Sequence, residues 1–194
     1  MTGRRLKLVL VLGALGAAGL GLLAWTQTWF TVTLDAGAAH EVPGQVADAA
    51  LAALALAGLA LGAALAIAGR VARLVLGLLA VVLGACIVLS AWLAIGDPAG
   101  AAAPVVTEST GIAGESAVAL VASVAWTAWP WVGAASGVLL AAAGIAVLAT
   151  SSRWPESSRR YRAVRVERAD GAAGTVDEWD ELSRGEDPTE PGRD

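Results

Sequence analysis

Four long apolar runs organise this chain, and polar residues return only in the stretches between them: Leu6–Trp25, Ala49–Gly69, Leu74–Ile95 and Trp129–Thr150. A helix rises about 1.5 Å per residue, so roughly 20 mainly apolar residues cross the hydrocarbon layer of a bilayer. Backbone polar groups in lipid must be satisfied within a helix or a closed barrel. These runs are too long for barrel strands and lack their alternation of period two. The pattern predicts an all-α membrane protein, a four-transmembrane-helix bundle over 1–150, followed by a polar tail over 151–194. The start of the fourth span is open. A start at Trp129 puts Pro130 in the first turn, where its missing N–H costs nothing. A start near Glu115 makes Pro130 a kink.

The polar stretches carry their own patterns. Thr28 to Leu34 reads T-W-F-T-V-T-L, β-branched and aromatic throughout, which predicts a short strand leaving the membrane. Val105-Val106-Thr107 in the second loop is its weak candidate partner, giving a small extracytoplasmic β-element. In the tail, Arg153 to Arg168 is a basic juxtamembrane segment with six arginines. Such a cluster attracts anionic headgroups at roughly 1 kcal/mol per residue. Beyond the linker Ala169–Gly174, Thr175 and Glu178 have capping-box spacing, and Gly185 and Pro188 end what they start. This predicts a short acidic helix near 176–184 in an otherwise mostly disordered tail. Val176, Trp179 and Leu182 form its narrow apolar stripe. A helix this short is marginal alone, and its acidic rim is repelled by anionic lipid, so the stripe points to docking on a cytoplasmic protein.

Composition agrees with the pattern: 57% hydrophobic and 15% charged, where a soluble domain carries about 25% charged. One cysteine excludes an intramolecular disulfide framework, and one histidine excludes a histidine-based metal cluster. Charge decides orientation. Of 13 Lys and Arg, three lie at the N-terminal flank (Arg4, Arg5, Lys7), two between spans two and three (Arg70, Arg73) and eight in the tail. Segments 26–48 and 96–128 contain none, while they hold Asp35, Glu41, Asp48, Asp97, Glu108 and Glu115. Basic residues stay on the cytoplasmic side, so a multi-pass protein of the cell membrane with both termini cytoplasmic is expected. Residues 1–25 could alternatively be read as a signal peptide. Their apolar stretch is longer than a signal's 7–15 residues by the usual rule, and no small-x-small site follows it, so a retained anchor is the expectation.

Lipid is as apolar as leucine, so helices in a membrane associate through small residues that let backbones approach. Candidate seams are Gly13, Ala17 and Gly21; Gly58 and Gly62; Gly77 and Gly84; and Gly133, Gly137, Ala141 and Gly144. They suit packing within one bundle, or a homodimer. No ionisable residue lies inside any of the four span cores, which argues against the proton relays and ion paths that use such groups. Cys86 is expected to pack as a small hydrophobe, and Ser90 and Ser136 to bond carbonyls of their own helices.

Six tryptophans, Trp25, Trp29, Trp92, Trp126, Trp129 and Trp131, fall near the outer membrane face, and Trp154 near the inner one. Indoles favour the headgroup level. The six read either as an aromatic belt or as a platform for a flat apolar ligand or a partner helix. His40 beside Glu41 reads as solvated surface. No catalytic, cofactor-binding or metal-binding residues stand out, and no nucleophile–base pair or phosphate loop is present, so neither an enzyme nor a cofactor is expected.

Several stretches resemble the actinobacterial tryptophan-biosynthesis-associated membrane proteins, which are linked to the tryptophan operon. They are the Arg-flanked first span ending in Trp25-Thr26-Gln27-Thr28-Trp29-Phe30-Thr31, Trp129-Pro130-Trp131, and Arg153-Trp154-Pro155 with Arg159-Arg160-Tyr161. The tail from Glu178-Trp179-Asp180 to Gly185-Glu186-Asp187-Pro188-Thr189 is the most specific of them. The resemblance implies four spans and a genomic link to tryptophan synthesis; it implies no reaction and no catalytic residues. The expected function is an accessory or interaction protein; the alternative is a carrier or exporter of tryptophan or indole. Expected partners are the bilayer, a cytoplasmic protein held by the tail and a second copy of the chain, with no nucleic acid among them.

Overall fold

The computed structural model describes residues 3–151, so the tail and its expected docking stripe lie outside the described residues. In chain order the elements are α1 (Gly3–Trp25), β1 (Thr28–Leu34), β2 (Ala39–Pro43), α2 (Gly44–Ala47), α3 (Ala49–Ile67), α4 (Arg70–Gly96), α5 (Pro98–Thr110), α6 (Glu115–Ala119), β3 (Val121–Trp126) and α7 (Trp129–Thr150). The four long helices α1, α3, α4 and α7 are each apolar and long enough to cross a membrane. They form a ring: α1 packs on α3 and α7, and α4 packs on the same two. The α4–α7 pair is the most extensive and the α3–α4 pair the thinnest.

Glycine explains the α4–α7 pair. A Cβ placed on Gly84 would lie 2.5 Å from the Gly137 carbonyl oxygen, and one on Gly144 would lie 2.7 Å from the Gly77 carbonyl oxygen. Backbone thus meets backbone at two levels, which maximises dispersion contacts and Cα–H···O approaches where lipid offers no hydrophobic drive. Gly58 faces Ala18 and Leu140, and Gly62 faces Leu15, so α3 closes on its neighbours in the same way. The α1 seam is only partly real. Gly21 meets Ser136 and Ala17 is buried, but a Cβ on Gly13 would meet nothing within 4 Å. Gly13 therefore does not belong to a packed stripe. Cys86 also departs from expectation: it faces outward from α4 rather than packing inside.

At one end of the ring, both long connections fold into a single cap. Its sheet has the order β2-β1-β3, antiparallel throughout. Val105-Val106-Thr107 does not supply a strand; those residues are helical, within α5. The local signals favour a helix: Asp97 caps the start by accepting from Gly100 N–H at 2.9 Å, and Pro98 stands in the first turn. An alanine-rich run then follows, and Gly111, at φ 75°, ends the helix in the left-handed conformation. The strand that does pair with β1 is β3, supplied by the stretch just before α7. That settles the start of the fourth span: α6 and β3 precede it, and α7 begins at Trp129 with Pro130 in its first turn.

At the other end, basic side chains cap helix C-termini. Lys7 Nζ donates to the Ala66 carbonyl at 2.6 Å. Arg73 lies in the first turn of α4, which starts at Arg70, one turn earlier than the hydropathy pattern predicts. Its guanidinium is buried and donates to the carbonyls of Ala68 (3.2 Å) and Ser151 (3.1 Å). Carbonyls at helix ends lack intrahelical partners and carry partial negative charge, so one cation ties the ends of α3 and α7 to the start of α4.

Candidate functional site

The junction between cap and bundle brings together most of the candidate residues. It starts with a bulge. Opposite β2, the register of β1 slips between Thr28 and Phe30, so Trp29 is the extra residue. A bulge lets two successive side chains escape strict alternation, and here Trp29 and Phe30 are both fully buried. Trp29 points to the bundle: its ring faces Gly133 of α7, where a Cβ would lie 3.1 Å away, and its Nε1 donates to the Ala24 carbonyl at 2.8 Å. Gly44 of α2 lies against the same indole nitrogen, where a Cβ would come within 2.6 Å. Phe30 instead joins Val32, Leu34 and Val42 in the cap core, which α5 and α6 complete with Ala102, Val106 and Ala117. Thr127 closes the junction, its hydroxyl donating to the Thr28 carbonyl at 2.8 Å and its N–H to the Trp29 carbonyl at 3.1 Å.

The six tryptophans do not share one environment. Trp29 is fully buried; Trp25 and Trp129 are half-buried; Trp126, Trp92 and Trp131 are 46%, 61% and 53% exposed. Ring contacts run from Trp29 to Phe30 (6.2 Å between centroids) and from Phe30 to Trp126 (5.0 Å), both edge to face. Aromatic contact therefore centres on Phe30. Trp92 stands apart on α4, bordering a shallow apolar groove with Leu89 and with Val138 and Ile145 of α7.

Asp48 is the residue whose environment sequence reasoning missed. It is read from the sequence as a loop acid, yet it is 5% exposed. One carboxylate oxygen accepts from Leu51 N–H at 3.1 Å and so caps α3; the other accepts from the Ser90 hydroxyl of α4 at 2.9 Å. Ser90 also lies 3.1 Å from the Ile87 carbonyl of its own helix. Burial pushes the Asp48 carboxyl above the usual carboxylate range, against the hydrogen bonds from Ser90, Leu51 and Ala50, which hold it down. The available signal was Asp48 immediately before an alanine-rich run, the N-cap position. Ser136 behaves as expected, donating to the Gly133 carbonyl at 2.7 Å.

Among the described residues, no three His, Cys, Asp or Glu side chains come together as a metal site. Val176, Trp179 and Leu182 lie beyond the described residues. Residues 7–189 match the model of one protein family, described as tryptophan-associated transmembrane protein. No curated protein and no solved structure matches the chain.

Proposed function

Because the chain belongs to the tryptophan-associated transmembrane protein family, we propose that it is an accessory or interaction protein of the cell membrane that serves tryptophan biosynthesis without a reaction of its own. The observation that carries this reading is the apolar, buried interior of the bundle. Leu51, Leu65, Ile87, Leu140 and Val147 are buried inside the ring, and α4 and α7 are in backbone contact at two levels. A carrier for a molecule as large as indole needs a path between helices. Close-packed interiors resist opening one, which favours an interaction role over transport.

In this reading the tail docks a cytoplasmic partner through Val176, Trp179 and Leu182, and the cap faces the outside. The capping-box spacing of Thr175 and Glu178 supports the first part, and the collection of Lys7, Arg70 and Arg73 at the end away from the cap supports the second. The test is capture of partners from native membranes by the tagged full chain. Deletion of 169–194 abolishes capture. Trp179→Ala weakens it by about thirtyfold or more, as expected for a buried tryptophan anchor. A partner set unchanged by both variants would end the accessory reading. Orientation is tested in a Cys86→Ala background: cysteine at Ala38 or Ser109 labels with an impermeant reagent on intact cells, and cysteine at Gly171 does not.

A further inference from the structure

The sheet of the cap has two outer edges, and the chain treats them differently. Edge strands expose unpaired N–H and C=O groups, and proteins commonly guard them with charge or proline. β2 is guarded: it carries His40 and Glu41, ends in Pro43 and runs directly into α2. β3 is not. Val121–Trp126 reads V-A-S-V-A-W, with no charge and no proline. β1 lies on one side of it, and among the described residues no strand lies on the other. The register slip between Thr33 and Leu34 falls at its first end, so Ser123–Trp126 stays in unbroken register with Thr33–Phe30. Ser123, Ala125 and Trp126 are exposed.

The cap that carries this edge has one sign of charge. Asp35, Glu41, Asp97, Glu108 and Glu115 are all exposed, and segments 26–48 and 96–128 contain no Lys or Arg. Asp35 stands at the start of β3, its N–H donating to the Leu120 carbonyl at 3.1 Å. Glu41 shares a cross-strand row with Thr31 and Ala125, about 10 Å from β3 at two strand spacings.

We propose that the free edge of β3 docks an extended lysine- or arginine-rich segment of a partner protein as a fourth strand. Main-chain hydrogen bonds to Ser123–Trp126 hold the segment. Its basic side chains are drawn by the net negative charge of the cap, and Trp126, in edge-to-face contact with Phe30, offers an apolar contact at the far end. Complementary charge selects the partner and speeds encounter. A second copy of this chain is disfavoured at the same edge because it would bring a second set of carboxylates against the first. This docking involves neither the tail nor a particular membrane orientation.

The test uses the full chain in nanodiscs of phosphatidylcholine, which expose both faces, with empty discs as the blank. The probe is a labelled heptapeptide of alternating valine and lysine, and the control alternates valine and glutamate. The lysine peptide binds saturably, weakens by roughly tenfold or more in high salt, and slows amide exchange along 123–126. The glutamate peptide does not bind. The double variant Ser123→Lys, Ala125→Lys, at exposed positions, keeps the thermal stability of the parent and loses about tenfold or more in affinity for the lysine peptide. Absence of saturable binding, equal binding of the two peptides, undiminished binding by the double variant or protection confined to other segments would each overturn the proposal. So would β3–β3 crosslinking between two chains in one disc, which would assign the edge to a second copy.

Discussion

The α4–α7 seam and the cap core are held together by opposite means. At the seam the decisive residues are Gly77, Gly84, Gly137 and Gly144, and a single added carbon would collide with backbone at Gly84, Gly137 and Gly144. In the cap the decisive residues are large: Phe30, Val32 and Val42 are all fully buried. The difference follows from the solvent. Between membrane helices, moving a leucine from lipid to protein gains little, so contact comes from backbone approach. Where water is the alternative, burying a large apolar side chain contributes about 1.5–3 kcal/mol. The same chain therefore minimises side-chain size in one region and maximises it in the other.

The sharpest way to break this contrast is to exchange the strategies. Gly137→Leu sets a branched side chain against the Gly84 carbonyl, Ile87 and Val88. No rotamer avoids backbone, so the helices must separate. The expected loss exceeds about 4 kcal/mol, read as failure to recover folded protein in detergent. Stability like that of the parent would remove the seam from the account. Next comes Phe30→Ala, which empties the centre of the cap and costs about 3–5 kcal/mol in the cap's own unfolding. Amide exchange should report it on β1, β2 and β3 and leave the lower bundle unchanged. Exchange rising equally in α4 and α7 would show that cap and bundle unfold as one.

Smaller effects test the polar tie between the two regions. Ser90→Ala removes one hydrogen bond to the Asp48 carboxylate and costs about 1–3 kcal/mol. The same site predicts a pH dependence. Burial raises the Asp48 carboxyl in the folded chain, so the folded state holds a proton that the unfolded state has released. The stability from that proton is fully present below the ordinary carboxylate value and is lost as pH rises through the raised value. Asp48→Asn keeps the cap on α3 and should flatten this profile; an unchanged profile would place the titration elsewhere. Leu139→Ala should have the smallest effect, under about 0.5 kcal/mol, because Leu139 is 50% exposed on the lipid side. A loss comparable to that of Phe30→Ala would mean that this face is covered.

Much of the bundle is legible in the sequence. Span boundaries from hydropathy fall within a turn of α1, α3, α4 and α7, because a bilayer imposes a length and an apolar content that sequence records directly. Strand β1 was legible from its β-branched and aromatic run. Its partner was not. Strand pairing is decided across long sequence separations, and Val105–Thr107 had a stronger local claim as helix, with Asp97 and Pro98 before it and Gly111 after it. Similarly, the order of the spans puts Arg73 at the same end of the bundle as Lys7 but cannot reveal that it caps two helices. The six tryptophans illustrate the same limit: their position along the chain does not separate them, and only the bulge at Trp29 gives that one its interior place.

By itself, then, the sequence determined that there are four membrane-spanning helices, where each one sits and which end of the bundle collects the basic residues. Those properties are sums over local composition, and the bilayer reads them one segment at a time. The tertiary structure alone decided which glycines touch, that residues from both long connections share one sheet, and that Asp48 and Ser90 meet across α3 and α4. Each of these depends on two segments arriving at one place together, and a pairing energy has no signature in either segment taken alone.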